Sequence, residues 1–225
     1  MSGSFFERYR NGDCTRVWDE LYVLGSAVRD PQYFDDASAV AHETMRRARH
    51  NVEQIIEKLR GLGYRFTLGP EAYKPADSSA IGRLDDFEGT IGGPLPLSIR
   101  HWWEQMEFVC LAGLHETLTP SFDVDATHPL TIWDFSDEDR ELIDLTERGQ
   151  TGFQLALERD AYAIRVPDWS ADVNIGPDRL WFVPYLREVS QWGGFPGWAN
   201  AQLWPTKFPI PIKELSYLRE ELLLL

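Results

Sequence analysis

Between Ser38 and Leu62 the apolar positions Ala41, Met45, Ala48, Val52, Ile55, Ile56 and Leu59 recur at steps of three and four, the signature of one face of an amphipathic helix. Asp36 or Ser38 is placed to cap its start, and Gly61 or Gly63 to end it. Arg46, Arg47 and Arg49 fall on the other side and predict a solvated face. Upstream, Thr15 to Val28 predicts another helix, with Val17, Leu21 and Leu24 aligned and Asp30-Pro31 as its stop. Downstream, Tyr64-Arg65-Phe66 alternates as a short strand does, Gly69-Pro70 breaks the pattern, and Glu71 to Asp77 reads as a linker. Ser78 or Ser79 then caps a short helix with Ile81, Leu84 and Phe87 on one side, closed by Gly92-Gly93-Pro94. A second short helix, Ile99 to Gln105, carries Ile99, Trp102, Trp103 and Met106 as a heavy apolar stripe destined for the core.

The pattern then turns to β. Phe108–Leu111, Leu130–Trp133, Phe153–Leu157 and Tyr162–Val166 are short runs rich in branched and aromatic residues, bounded by Gly, Pro or Asp. Phe153, Leu155 and Leu157 alternate with Gln154 and Ala156, as one buried face of an antiparallel strand would, and FQLALERDAYAIRV reads as a hairpin turning near Glu158 to Asp160. Further helices are expected over Pro184–Gln191 and Ile212–Leu223, the latter aligning Leu215, Leu218 and Leu222. Helices first and strands later predict an α+β fold: a single domain with a twisted, mainly antiparallel sheet covered by helices and a helical N-terminal region. The expected division is 1–70, a helical region packing on the core, and 71–225, an α+β core with a C-terminal helix.

Composition sharpens this picture at three points. The 225 residues, 43% hydrophobic and 26% charged, suffice for a self-supporting core. No apolar run approaches a membrane span, and the opening MSGSFFERYR lacks a secretory signal core, so a cytoplasmic protein is expected. Cys14 and Cys110 are too few for a disulfide framework and are read as small buried hydrophobes. Lys and Arg number 22 against 36 Asp and Glu, a net charge of −14. That field disfavours nucleic acid and anionic lipid, which need cationic contacts, and favours a basic protein partner.

The stretch IGRLDDFEGTIGGPLPLSIRHWWEQM is a short acidic and aromatic helix, a glycine break, and a Leu95-Pro96 start to a second helix. It resembles the N-terminal signature of the SUKH superfamily, which includes fungal cell-wall assembly regulators and bacterial immunity proteins that neutralise polymorphic toxins. FQLALERDAYAIRVPDWSADVNI is similar to the paired strands of some bacterial members, and FVPYLREVSQWGGFPGW to their C-terminal helix and aromatic loop. The strand pair is joined more directly here than in those members, Asp160 running almost straight into Tyr162. The resemblance implies an α+β fold and a protein-binding role, with no catalytic residue and no cofactor to carry over.

If the role is binding, the interface should hold charge that folding does not explain. From Glu116 to Asp144 nine acids (Glu116, Asp123, Asp125, Asp134, Asp137, Glu138, Asp139, Glu141 and Asp144) face one base, Arg140. A basic toxin domain would relieve that repulsion; solvent around a loop and a helix start would do so too. Within WGGFPGW, Phe195 reads as a core plug, and Trp192 or Trp198 as a partly exposed interface anchor. The expected reading is a non-enzymatic immunity-type protein that blocks a toxin domain through Glu116, Asp123, Asp125, Asp134, Asp137, Glu138, Asp139, Glu141, Trp192 and Trp198. Two alternatives stay open: a regulatory scaffold without a toxin, and a metal-dependent hydrolase built on His115, Glu116, Asp123, Asp125 and His128, although the HExxH and EF-hand spacings are missing. His42, His50 and His101 are read as structural or surface histidines.

Overall fold

The computed structural model describes residues 3–119, 127–132, 143–145, 150–157, 160–175, 180–203 and 209–225. Three helices open the chain: α1 (Phe5–Arg10), α2 (Cys14–Leu24) and α3 (Phe34–Gly61). The anticipated face of α3 is buried, with Ala41, Met45, Ala48, Val52, Ile55, Ile56 and Leu59 all at 3% exposure or less. The helix starts earlier than the pattern suggested, at Phe34, and Asp36 does not cap it. Its carboxylate instead accepts the backbone N–H groups of Phe5 (2.5 Å) and Phe6 (3.1 Å), capping α1 from a distance in sequence. A capping box between Ser4 and Glu7 completes that end.

The basic side of α3 is only partly solvated. Arg46 pairs with Glu43, and Arg49 with Glu53, near the surface. Arg47, by contrast, lies 4.6 Å over the Tyr9 ring and donates to the Leu224 carbonyl at 3.0 Å. Asn51, 2% exposed on the same helix, exchanges two hydrogen bonds with the backbone of Leu223. The long helix therefore also clasps the last residues of the chain.

Beyond it come β1 (Arg65–Phe66), β2 (Tyr73–Pro75), α4 (Ala80–Ile91), α5 (Leu97–Gln105), β3 (Met106–Cys110), β4 (Gly113–Leu114), β5 (Thr131–Ile132), β6 (Ile143–Leu145), β7 (Gln150–Leu157) and β8 (Asp160–Arg165). Then follow β9 (Asn174–Ile175), β10 (Leu180–Trp181), α6 (Phe182–Gln191) and α7 (Ile212–Arg219). The main sheet has six described strands. β2 pairs with β3, β3 with β5, and β7 is flanked by β5 and β6 on one edge and β8 on the other, every pairing antiparallel. β1 with β4, and β9 with β10, form separate two-stranded ribbons. The fold is a single-domain α+β arrangement, as the chain pattern predicts.

Three expectations are corrected. The supposed linker contains β2, an edge strand where Pro75 can sit without losing a ladder bond, anchored by the Tyr73 hydroxyl donating to Glu53 Oε1 at 2.9 Å. Ile81 is 56% exposed; Leu84 and Phe87 are buried as the spacing predicts, but Ala80 and Ile91, not Ile81, complete the buried face of α4. Inside the acidic stretch, Ile143–Leu145 is a strand rather than loop or helix start. The hairpin stands: Leu157 pairs with Asp160, and the register runs back to Gly152 opposite Arg165. Trp102 and Trp103 are core residues, Trp102 meeting Phe182 edge-on at 5.4 Å between ring centres.

At the N-terminus of α6 the side chain of Asp172 is 1% exposed. It accepts from the backbone N–H of Val183 (3.0 Å) and Val173 (2.9 Å) and from the Tyr22 hydroxyl (3.2 Å). Burial pushes its carboxyl up to about 6, even with these donors favouring the ionised form. Among the described residues no helix is long and apolar enough to cross a membrane.

A candidate docking groove beside the aromatic loop

Just after β4 the chain makes a short turn, His115 to Thr119, held by its own side chains. Thr119 Oγ1 accepts the His115 N–H at 2.6 Å and donates to the His115 carbonyl at 3.1 Å. The His115 ring lies 3.2 Å from the Leu62 carbonyl through Nε2, so that nitrogen carries the proton. Nδ1 is then an acceptor and receives the N–H groups of Thr117 and Leu118, both at 3.3 Å. Tyr64 stacks against the same ring, 6.3 Å between centres, while its hydroxyl donates to the Leu111 carbonyl at 2.7 Å. Every hydrogen-bonding position of the imidazole is thus occupied in fixing the turn that presents Glu116 and Thr117.

Facing that turn is the entry to α7. Glu116 and Thr117 on one side, with Pro209, Ile210, Pro211, Ile212, Lys213 and Glu214 on the other, enclose an open groove of about 420 Å³. Its walls are mostly aliphatic and proline carbon, with Ile212 69% exposed, and Glu116 and Glu214 supply carboxylates against the single ammonium of Lys213. Behind it α7 is anchored by Leu215 and Leu218, both buried, and Tyr217 lies under the Lys58 ammonium 5.6 Å from its ring centre.

The aromatic loop after α6 supports both walls. Phe195 is fully buried and meets Tyr64 edge-on at 5.8 Å, as a core plug should. Trp198 is 2% exposed, and its indole N–H donates to the Leu118 carbonyl at 3.3 Å, tying the loop to the Glu116 turn. Gly193, at φ +60°, lies so close to α7 that a Cβ there would come 2.6 Å from Leu218 Cβ. Gly194, at φ +97°, packs on Leu111 and Ile55, and its carbonyl accepts the Leu130 N–H at 2.8 Å. The two glycines are required by close approach and by left-handed backbone.

The predicted interface residues fare unequally. Glu116 is exposed and lines the groove. Trp198 is corrected: it is a buried support and presents no ring to a partner, because its indole nitrogen finds its acceptor inside the protein. Trp192 is half-buried and packs against the core cluster. Asp123, Asp125, Asp134, Asp137, Glu138, Asp139 and Glu141 lie outside the described residues, and for Asp144 only the backbone, in β6, is described. Among the described residues no group of three or more His, Cys, Asp or Glu side chains is placed to hold a metal ion. The wall from Pro209 to Glu214 was missed; the PIPI run, alternating proline with isoleucine before a helix, is the signal that could have marked it.

A second constellation joins α3 to α5. His101, 8% exposed, sits between Ser38 Oγ, 3.0 Å from Nε2, and Glu104 Oε2, 2.5 Å from Nδ1. Burial works to raise the Glu104 carboxyl, but the His101 ring and Arg100 outweigh it and hold the group below its ordinary value. An ionised carboxylate only accepts, so Nδ1 carries the proton, and in the neutral imidazole Nε2 accepts from the Ser38 hydroxyl. His42 stands perpendicular to the His101 ring at 5.6 Å, within 3.2 Å of the Gln105 amide nitrogen. No protein-family model, curated protein or solved structure matches the chain.

Proposed function

We propose that the protein is a binding module of the immunity type, which neutralises a cognate toxin domain by direct contact, with the groove between Glu116 and α7 as part of its docking face. The observation that carries this reading is an apolar groove rimmed by Glu116 and Glu214 on a molecule of net charge −14. Such a surface fits a cationic protein segment that buries an aliphatic or aromatic side chain and meets the two carboxylates with Lys or Arg. The net charge speeds encounter with a basic partner, and the rigid walls lower the ordering cost of binding. The SUKH-like order of segments from Ile81 to Trp198 supports the same class of function.

Neutralisation is tested by co-expression with the product of the reading frame immediately upstream. The expected result is that this product arrests growth, that the parent protein restores it, and that Ile212→Glu, which puts a charge into the groove at an exposed position, restores it far less. Growth arrest that the parent does not relieve, or an upstream product without toxicity, overturns the immunity reading.

A further inference from the structure

We infer that Ser38, His101 and Glu104 form an acyl-transfer site that cleaves small carboxylic esters, an activity separate from the docking groove. Ser38 and His101 are 63 positions apart, yet the packing of α3 on α5 brings Oγ within 3.0 Å of Nε2. His101 and Glu104 stand at i and i+3 on α5, which puts the imidazole and the carboxylate of the relay on one helix face, with Nδ1 to Oε2 at 2.5 Å. The order hydroxyl, imidazole Nε2, imidazole Nδ1, carboxylate is the order that activates a serine, and it is recognised by geometry rather than by sequence position. Ser38 is partly exposed, while the His101 and Glu104 side chains behind it are only 10% and 13% exposed. His42, exposed beside the imidazole, marks the solvent side of the site.

In the reaction the Ser38 oxygen bonds to the ester carbonyl carbon while its proton passes to His101 Nε2. The tetrahedral intermediate collapses, the carbon–oxygen bond to the alcohol breaks, and the alcohol leaves with the proton from Nε2. Water then attacks the acyl-serine, giving its proton to Nε2, and the acid departs as the serine regains its hydrogen. No oxidant, reductant or cofactor enters. Glu104 is a positioning residue: it keeps the proton on Nδ1 and offsets the positive charge on the ring.

The same hydrogen bonds could serve only to join two helices, and covalent labelling separates the roles. A fluorophosphonate probe forms an oxygen–phosphorus bond with an activated serine and expels fluoride, which the intact mass and peptide mapping report. The full-length parent should gain one adduct per chain, on Ser38, and release p-nitrophenol from p-nitrophenyl acetate. Ser38→Ala should gain none. Glu104→Gln and His101→Gln should label at least about tenfold more slowly, a rate effect that a joint between helices would not produce in a variant retaining the parent's near-ultraviolet circular dichroism. Absence of an adduct on Ser38 in the folded parent overturns the inference, and so does labelling whose rate the folded Glu104→Gln variant leaves unchanged.

Discussion

Asp172 shows how a single buried group couples the fold to pH. Its folded value, about 6, stands above the ordinary 3.8, so the native state holds the proton more tightly than the unfolded chain. The contribution to stability is therefore full below about pH 4 and is lost as pH rises through about 6, a change of about 3 kcal/mol for a shift of this size. Asp172→Asn cannot ionise, so urea unfolding at pH 4.5 and pH 7.5 should show the parent losing ground to the variant by about 2 kcal/mol at the higher pH, part of the full change already being spent at pH 4.5. Equal pH dependence in the two proteins would contradict the assignment. Phe195 makes a simpler case: fully buried against Tyr64, it should cost about 3–5 kcal/mol on truncation to Ala, read as a lowered melting temperature.

Elements report how the groove is built. The aromatic loop touches the Glu116 turn through Trp198 and α7 through Gly193, so a change there should reach the binding face without touching a partner. Gly194→Ala must hold a Cβ at φ +97° and 2.7 Å from Leu111 Cδ1; we expect a loss of roughly 1–3 kcal/mol in denaturant unfolding. Much of this level was legible in the chain. The α3 stripe, the tryptophan helix and the β7–β8 hairpin follow from periodicity, because burial acts on every third or fourth residue of a helix and every second of a strand. What periodicity hides is set by neighbours in space. Asp36 caps a different helix, Trp198 is buried because Leu118 offers it an acceptor, β2 is too short to alternate, and Ser38 meets His101 only once α3 and α5 have packed. The acidic run was visible at once, but of its interface residues only Glu116 has a described place at the groove.

At the scale of the whole molecule the net charge of −14 sets the terms of association. Attraction between exposed charges is screened over about 8 Å at physiological salt and about 3 Å at 1 M, so a basic partner should dissociate more readily as salt rises. The most direct measurement is affinity capture from the source cells, with the parent and the Ile212→Glu and Glu116→Lys variants as parallel baits, each washed at low and high salt. The account predicts one basic protein held stoichiometrically by the parent, released by salt, and lost or sharply reduced with either variant. A basic partner retained equally by all three baits, or no stoichiometric basic partner on the parent at low salt, would contradict the docking groove.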